Sequence, residues 1–414
     1  MAYVGAAAKC LEPFNASLAR FRAHTRVWSS LRARAGESPA GCAGLATALF
    51  VAALFLVTRP AHAAEIVVGQ VGPISGFEAT QGRAYSAGMQ LHFDALNRTG
   101  GINGHTFKLV RRDDAGKPEQ TVSLTKQLIA EVKPLVLAGY FGSENIANVV
   151  ASGVLEQNRI ALVGYRVSEI RPEAPFLYNV RASLLDEIVK LVEHAAIVGL
   201  SRLGLFYEDG PGSGALTSTA EAAAQKAKVS ITVRAPYTAN AATVDNAVKS
   251  FLQQPPQAIL MVSSGAVAAS FIEKYRTEGG SALLFAHSGA DIEQLSKRLG
   301  EEHMRGVVIA QVAPNPYKVS NRVTKDFADA LSRKPALDVP VSYAVMEGYI
   351  AARVIAEAVR RQGGNPTRPG MAQALDSIND FDLGGYIVGF QPGQRWGSRY
   401  VELSIVSNGV RIRQ

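Results

Sequence analysis

Cysteine is almost missing from this chain: its 414 residues include only two, Cys10 and Cys42. Both lie within the first 63 residues, so the rest of the chain has no thiol. This excludes a disulfide framework and thiolate chemistry from that part. Cys42 precedes an apolar run instead of following one, so lipid attachment at Cys42 is not expected.

Motifs that carry catalysis or hold cofactors are missing too. The sequence has no G-x-S-x-G nucleophile elbow and no P-loop. Gly210–Gly214 (GPGSG) follows a strand pattern but lacks the third spaced glycine of a dinucleotide loop. The histidines after residue 63 do not fall at the i, i+4 spacing of metal ligands: His92, His105, His194, His287 and His303. We therefore predict no enzyme activity, no cofactor and no metal site.

The N-terminal 63 residues have the pattern of an export signal. Basic residues precede the apolar run 43–57 (AGLATALFVAALFLV), and Ala61-His62-Ala63 follows as a cleavage site. A membrane span needs about 20 residues, so this run is short for one. We predict a signal peptide over residues 1–63, cleaved before Ala64, and a periplasmic product. An uncleaved anchor is the alternative, and translation starts either at Met1 or downstream, at Val27 or Leu31.

Little net charge remains after this segment. Residues 1–63 hold seven Lys/Arg and two Asp/Glu, which is +5 of the total of +8, and about +3 is left. Basic clusters with interleaved aromatic residues are absent, so nucleic-acid binding is not expected.

The rest of the chain alternates short apolar strands with amphipathic helices, which predicts parallel α/β sheets covered by helices. Its length suits two domains. The predicted strands are Glu65–Val71, Thr106–Arg111, Pro134–Tyr140, Ile160–Tyr165, Phe176–Arg181, Arg202–Tyr207, Val229–Ala235, Ala258–Ser263, Leu283–Ala286, Gly306–Val312, Tyr386–Phe390 and Tyr400–Val406. The predicted helices include Arg83–Asn97, Ser143–Gln157, Leu184–Val198, Val267–Thr277, Asn321–Lys334 and Val341–Arg361.

Gly100–Glu119 (GGINGHTFKLVRRDDAGKPE) is the most informative segment. Its glycines mark tight reversals, a short strand follows, and Pro118 opens a helix after Asp113-Asp114. This order resembles the signature of the branched-chain amino-acid-binding protein family, the periplasmic receptors of a class of ABC importers. The resemblance runs over the whole chain after the signal and is strongest from Glu65 to Arg181.

The resemblance implies a type I periplasmic binding fold, with two Rossmann-like lobes joined by three crossing strands. Lobe one would comprise residues 64–181 and 313–383, and lobe two residues 182–312 and 384–414. The crossings would fall near Arg181, Val312 and Leu383. The ligand would lie between the lobes, and closure of the lobes would be a two-state shift.

Four loops follow strand ends, where open α/β sheets bind ligands. They are 72–82, 140–145, 164–168 and 207–214, the last with neighbours on adjacent strand ends. Together they give the predicted ligand-binding residues: Ser75, Phe77, Gln81, Phe141, Gly142, Ser143, Tyr165, Arg166, Ser168, Tyr207, Asp209, Ser264 and Ser288. Ser143 is expected to cap the following helix.

The family's amino-acid receptors hold the ligand carboxylate at the positions of Ser143 and Ser168, and pair its ammonium with an acid in lobe two. Ser288 or Gly289 stands in the place of that acid, unless Asp209 or Asp291 replaces it. Arg166 replaces a small residue and is expected to meet a carboxylate with two hydrogen bonds. These departures favour a ligand with a carboxylate and without an obligatory ammonium.

We therefore interpret the chain as a solute-binding protein of an ABC importer. Its expected partners are a small polar ligand, an amino acid or another carboxylate, and the subunits of a membrane permease, with the protein itself a monomer. A sensory receptor of the same fold, coupled to a signalling partner, is the alternative. A secreted α/β enzyme would need a nucleophile–base pair or a metal cluster, and the sequence shows neither.

Overall fold

The computed structural model describes residues 65–76, 78–167, 174–210, 212–238, 244–334, 336–391, 393–407 and 411–413. The predicted signal peptide and two predicted site residues, Phe77 and Ser168, lie outside these ranges. None of the helices within them is long and apolar enough to cross a membrane.

The strands are β1 Glu65–Gly72, β2 Thr106–Asp113, β3 Val136–Phe141, β4 Leu162–Arg166, β5 Leu177–Tyr178, β6 Arg202–Glu208, β7 Ser230–Tyr237, β8 Ala258–Val262, β9 Leu283–Ala286, β10 Val308–Gln311, β11 Phe381–Asp382, β12 Ile387–Val388, β13 Glu402–Ser407 and β14 Arg411–Arg413. The helices are α1 Ala79–Arg98, α2 Pro118–Val132, α3 Ser143–Ala151, α4 Val154–Gln157, α5 Leu184–Ile197, α6 Ser213–Ala227, α7 Asp245–Gln253, α8 Gly265–Thr277, α9 Ile292–Arg298, α10 Glu301–Met304, α11 Arg322–Ser332, α12 Tyr343–Gln362 and α13 Arg368–Asp376. A 3₁₀ turn covers Ser288–Ala290.

Two sheets organise these strands, as the alternating pattern predicts. The first has the order β2-β1-β3-β4-β5 and is parallel throughout. The second has the order β14-β13-β10-β9-β8-β6-β7, and its parallel part, β6 to β10, repeats the order of the first sheet. β13 and β14 extend it with antiparallel pairs.

The order of strands fixes where a ligand can bind. In both sheets the first strand lies between the second and the third, so the connections leave in opposite directions at β1/β3 and at β6/β8. Ligands of open α/β sheets bind at the carboxyl ends of the strands flanking such a point. The chain goes from the first sheet to the second after β5, leaves the second sheet after β10 for α11–α13 and the β11-β12 ribbon, and returns to the second sheet at β13.

Some predicted elements are wrong at their ends or interrupted. The helix predicted over Ser143–Gln157 is two helices, α3 and α4, because Gly153 between them takes the left-handed conformation (φ 65°). The strand predicted over Phe176–Arg181 joins the sheet only at Leu177–Tyr178, and Asn179 forms an isolated bridge with Trp396. Tyr386–Phe390 pairs only at Ile387–Val388, and there with β11 in a separate ribbon.

Helix α12 is buried on nearly every side, not only on the predicted apolar face. It crosses α1 at a pair of glycines: a Cβ on Gly88 would collide with the Val345 carbonyl, and one on Gly348 with the Tyr85 carbonyl. The two backbones therefore approach more closely than any side chain would permit. This approach places the N-terminal turns of α12 beside the strand ends of the first sheet.

We expect Gly348→Ala to lower the free energy of unfolding by about 1–3 kcal/mol, because the added methyl forces α12 and α1 apart. Denaturant titration measures the change. Gly214→Ala on α6 is the matched control, since nothing lies within 4 Å of its added Cβ, and alanine favours a helix by up to about 1 kcal/mol. Equal stability of Gly348→Ala and the wild type would contradict the close approach.

Candidate functional site

A cavity of about 180 Å³ opens where the strand ends of both sheets meet. Its walls come from the segment after β1, from the ends of β3 and β4, and from the ends of β6 and β8. The lining residues are Glu78, Gln81, Phe141, Gly142, Ser143, Arg166, Val167, Arg181, Glu208, Gly210, Gly212, Ser213, Leu216, Val262, Ser264 and Gly289. The cavity thus lies at the switch points of both sheets.

Six of the predicted site residues line this cavity: Gln81, Phe141, Gly142, Ser143, Arg166 and Ser264. Ser143 is the first residue of α3 and not its cap, because Gly142 (φ 91°) occupies the capping position. Ser264 does occupy the capping position of α8, though its side chain makes no capping hydrogen bond.

Five other predicted residues do not line the cavity, for separate reasons. Ser75 is exposed, and its N–H donates to Asp113 Oδ1 over 3.1 Å. Tyr165 is buried against Trp396, with ring centroids 5.6 Å apart. Tyr207 packs on the apolar cluster of the second sheet, and Asp209 is exposed and accepts a hydrogen bond from Ser213.

Ser288, the fifth of these residues, is engaged by protein groups behind the wall. It is 4% exposed. Its N–H donates to Glu187 Oε2 over 2.7 Å, its hydroxyl to Glu187 Oε1 over 3.0 Å, and the same hydroxyl accepts from Arg181. Gly289 lines the cavity in its place.

Arg166, at the end of β4, is a buried charge in the wall. It is 7% exposed. Nη1 donates to Gln81 Oε1, while Nη2 lies 3.4 Å from both the Ser288 carbonyl and Glu347 Oε1. Nε has no hydrogen-bond partner among the described residues. Nε and the second N–H of Nη1 are thus the donors of Arg166 without a partner among these contacts, and the two-bond pairing of Arg166 with a carboxylate stays a prediction.

Two carboxylates in the wall correct the premise that the cleft lacks an acid. Glu208, the last residue of β6, accepts a hydrogen bond from the Tyr237 hydroxyl over 3.1 Å. Burial, together with the nearby Glu208, raises the pKa of Tyr237, so that hydroxyl stays a donor. Burial also raises the pKa of Glu78, against the opposing charge of Arg166.

The predicted site residues Tyr207 and Asp209 lie on either side of Glu208, so the prediction misses this acid by one position. The available signal is the apolar run Leu203–Phe206, because Glu208 is the first charged residue after it. Arg181, predicted as a strand end and a crossing point and not as a site residue, also lines the cavity.

Asp291, the other acid predicted to pair with the ligand, bonds to the start of a helix instead. It caps α9, where Oδ1 accepts from Gln294 N over 2.9 Å. Beside it, Glu293 Oε1 accepts from the Tyr317 hydroxyl over 2.8 Å and from the Tyr343 N–H over 2.9 Å. Burial, reinforced by the like charge of Asp291, raises the pKa of Glu293 to about 7.

Comparison with known proteins identifies what this arrangement is similar to. The family model described as "Periplasmic binding protein" matches residues 65–399. The Leu/Ile/Val-binding protein homolog 7 of Brucella melitensis is 23% identical over 362 residues, which cover 83% of this chain and 88% of that protein. An amino acid binding protein of Pseudomonas aeruginosa is 34% identical over 100 residues, only 24% of this chain and 26% of that protein.

Solved structures show the same architecture. A substrate-binding periplasmic protein from Ralstonia solanacearum is 38% identical with a TM-score of 0.76, covering 84% of this chain and 100% of that one. An extracellular ligand-binding receptor from Verminephrobacter eiseniae is 25% identical, also with a TM-score of 0.76 and coverage of 84% and 100%. The expected fold of two α/β lobes, the type I periplasmic binding fold, is thus confirmed.

We expect the titration of Glu293 to appear in the pH dependence of stability. Its pKa is raised from 4.5 in the unfolded chain to about 7, so the folded state keeps a proton that the unfolded state has lost. The unfolding free energy should therefore fall by about 1–3 kcal/mol as pH rises from about 4.5 to 7. Glu293→Gln should remove this fall and keep both accepted hydrogen bonds.

Denaturant titrations from pH 4.5 to 8 measure the effect as the difference between variant and wild type, because His92, whose pKa burial lowers to about 3 in the folded state, adds the same pH dependence to both. Glu302→Gln is the control, since that side chain is 84% exposed. Parallel curves for Glu293→Gln and the wild type would refute the assignment.

Proposed function

Because this chain belongs to the periplasmic binding protein family, we propose that it is the extracytoplasmic solute-binding protein of an ABC importer. Its resemblance to the branched-chain amino-acid-binding proteins is confirmed by the family model and by the Leu/Ile/Val-binding homologues. Its homologues are solute-binding proteins and its family is extracytoplasmic. Export through the signal peptide 1–63, a monomeric state, delivery to permease subunits and the absence of enzyme activity are parts of this proposal.

The observation that carries the proposal is the cavity at the two switch points, with Arg166 in its wall. A small ligand fits there between groups from both sheets, and no covalent step is needed. We propose that a carboxylate of the ligand accepts from Arg166 Nε and lies near Ser143 at the start of α3, where the helix N-terminus favours an anion. Ser168, which lies outside the described residues, remains a predicted member of this site.

Glu78 and Glu208 alter the proposed class of ligand. An ammonium or a hydrogen-bond donor of the ligand finds carboxylates at the cavity wall, so the ligand need not lack an ammonium. We therefore propose a small polar compound with a carboxylate, amino acids included. The flanking apolar residues Phe141, Val167 and Leu216 suit a short apolar portion.

The crossings between the lobes also fit a binding protein that closes. We propose that they lie near Arg181, Val312 and Leu383. Lobe one then comprises residues 64–181 and 313–383, and lobe two residues 182–312 and 384–414. The Tyr386 hydroxyl lies 2.9 Å from the carbonyls of both Val180 and Val312, and the Leu383 N–H donates to the Tyr386 carbonyl over 2.9 Å. One buried residue thus contacts all three proposed crossings, which suits bending at a common hinge.

We expect Arg166→Ala to weaken ligand binding by at least about tenfold, which is 1.4 kcal/mol, because a charge-assisted hydrogen bond is lost. A thermal-shift screen over amino acids, aliphatic acids and aromatic acids first identifies the ligand, since a ligand at a hundred times its Kd adds about 2.7 kcal/mol of stability. Calorimetry then gives Kd for wild type and variant.

Arg202→Ala is the matched control, because Arg202 is exposed at the opposite end of β6 from Glu208. It should bind the ligand as the wild type does. Unchanged affinity in Arg166→Ala would refute the role of Arg166. Turnover of the ligand by the wild type would instead indicate an enzyme.

We expect the ligand to reduce the radius of gyration in small-angle scattering, because closure brings the lobes together. Forward scattering should correspond to one chain. Arg166→Ala, at the same ligand concentration, should keep the larger radius until ligand is raised about tenfold further. A radius that stays constant when the wild type is saturated would argue against closure.

A further inference from the structure

Glu347, a residue that sequence analysis did not single out, lies between the two arginines of the cavity wall. It belongs to the second turn of α12 and is 3% exposed. Oε1 lies 3.4 Å from Arg166 Nη2, and Oε2 lies 3.4 Å from Arg181 Nη1. Each carboxylate oxygen thus faces one guanidinium, while Glu347 itself does not line the cavity.

The charges behind the wall balance. Arg181 has a second carboxylate partner, Glu187, whose Oε1 lies 3.0 Å from its Nη2. Arg166 has no second partner of this kind among the described residues, since its other contacts are the neutral oxygens of Gln81 and Ser288. Two arginines and two glutamates therefore cancel, and Glu347 is the carboxylate on which Arg166 depends.

The carboxylates in the cavity wall also disfavour a multiply charged anion. Glu78 and Glu208 line the cavity itself. With the arginines already neutralised, a multiply charged anion would approach these carboxylates without a net positive charge to offset them. Burying a charge without compensation costs free energy, and this disfavours the binding of such an anion.

We infer that Glu347 sets the net charge of the ligand that the cavity accepts, by neutralising Arg166 and Arg181 from behind. With Glu347 present the cavity takes a ligand of low net charge. Without its charge, Arg166 has no carboxylate partner within 4 Å among the described residues, and its guanidinium group becomes a site for an oxyanion such as sulfate. The inference rests on the proposed function only in taking this cavity as the ligand site.

The test compares Glu347→Gln with the wild type, using inorganic sulfate as the probe. Thermal unfolding is followed at about 10 mM sodium sulfate and in sodium chloride of equal ionic strength, where general salt effects are small and matched. Sulfate should raise the Tm of Glu347→Gln by at least about 2 °C over chloride, and should leave the wild type unchanged. Because sulfate is the probe, a failed search for the natural ligand does not affect this result.

Two control variants separate the charge of Glu347 from its shape. Glu357→Gln removes a buried, ion-paired glutamate of the same helix that contacts Arg360 and Arg361 instead, so it should show no response to sulfate. Glu347→Asp keeps the charge and should behave as the wild type does towards sulfate. A sulfate response equal in Glu347→Gln and the wild type would overturn the inference.

The double variant Arg166→Gln/Glu347→Gln covers the case in which Glu347→Gln does not fold. Removing both charges should restore folding without a response to sulfate, because the uncompensated guanidinium is gone. If the double variant folds no better than the single one, Glu347 has a packing role only, and the inference is wrong.

Discussion

The buried network of two arginines and two glutamates is the constraint on which the site depends. Four charged side chains, each under a tenth exposed, meet where both sheets end. Removing one partner of such a network leaves a buried charge, which costs about 3–5 kcal/mol. The network therefore ties together β4, the segment after β5, α5 and α12, and holds Arg166 at the cavity wall.

The packing of α12 against α1 makes this network possible. Glycines at the crossing let the two backbones approach, and this approach carries Glu347 to the ends of the first sheet's strands. From the same helix, Tyr343 donates its N–H to Glu293 and bonds Ser404 through its hydroxyl, 3.1 Å away. One helix thus contacts α9 and β13 of the second sheet and the charges behind the ligand cavity.

Sequence patterns predict the fold far better than they predict the site. Alternating apolar strands and amphipathic helices have a clear period, so β1, β6 and β9 begin where predicted. Gly153 breaks a helix because of its own φ, which periodicity does not reveal. Arg166 and Gln81 could be predicted from loop position, but Glu347 could not. Its partners Arg166 and Arg181 precede it in the chain by 181 and 166 residues, and they meet it only through tertiary packing. The prediction missed Glu208 by one residue, because an apolar sequence pattern does not define the end of a strand to better than about one residue.

A crystal structure of the protein with the ligand found by screening tests the central claim most directly. The account predicts an acidic oxygen of the ligand within about 3.2 Å of Arg166 Nε, with Glu347 still between the two guanidinium groups. A ligand bound away from Arg166, or an Arg166 side chain turned out of the cavity and separated from Glu347, would contradict it.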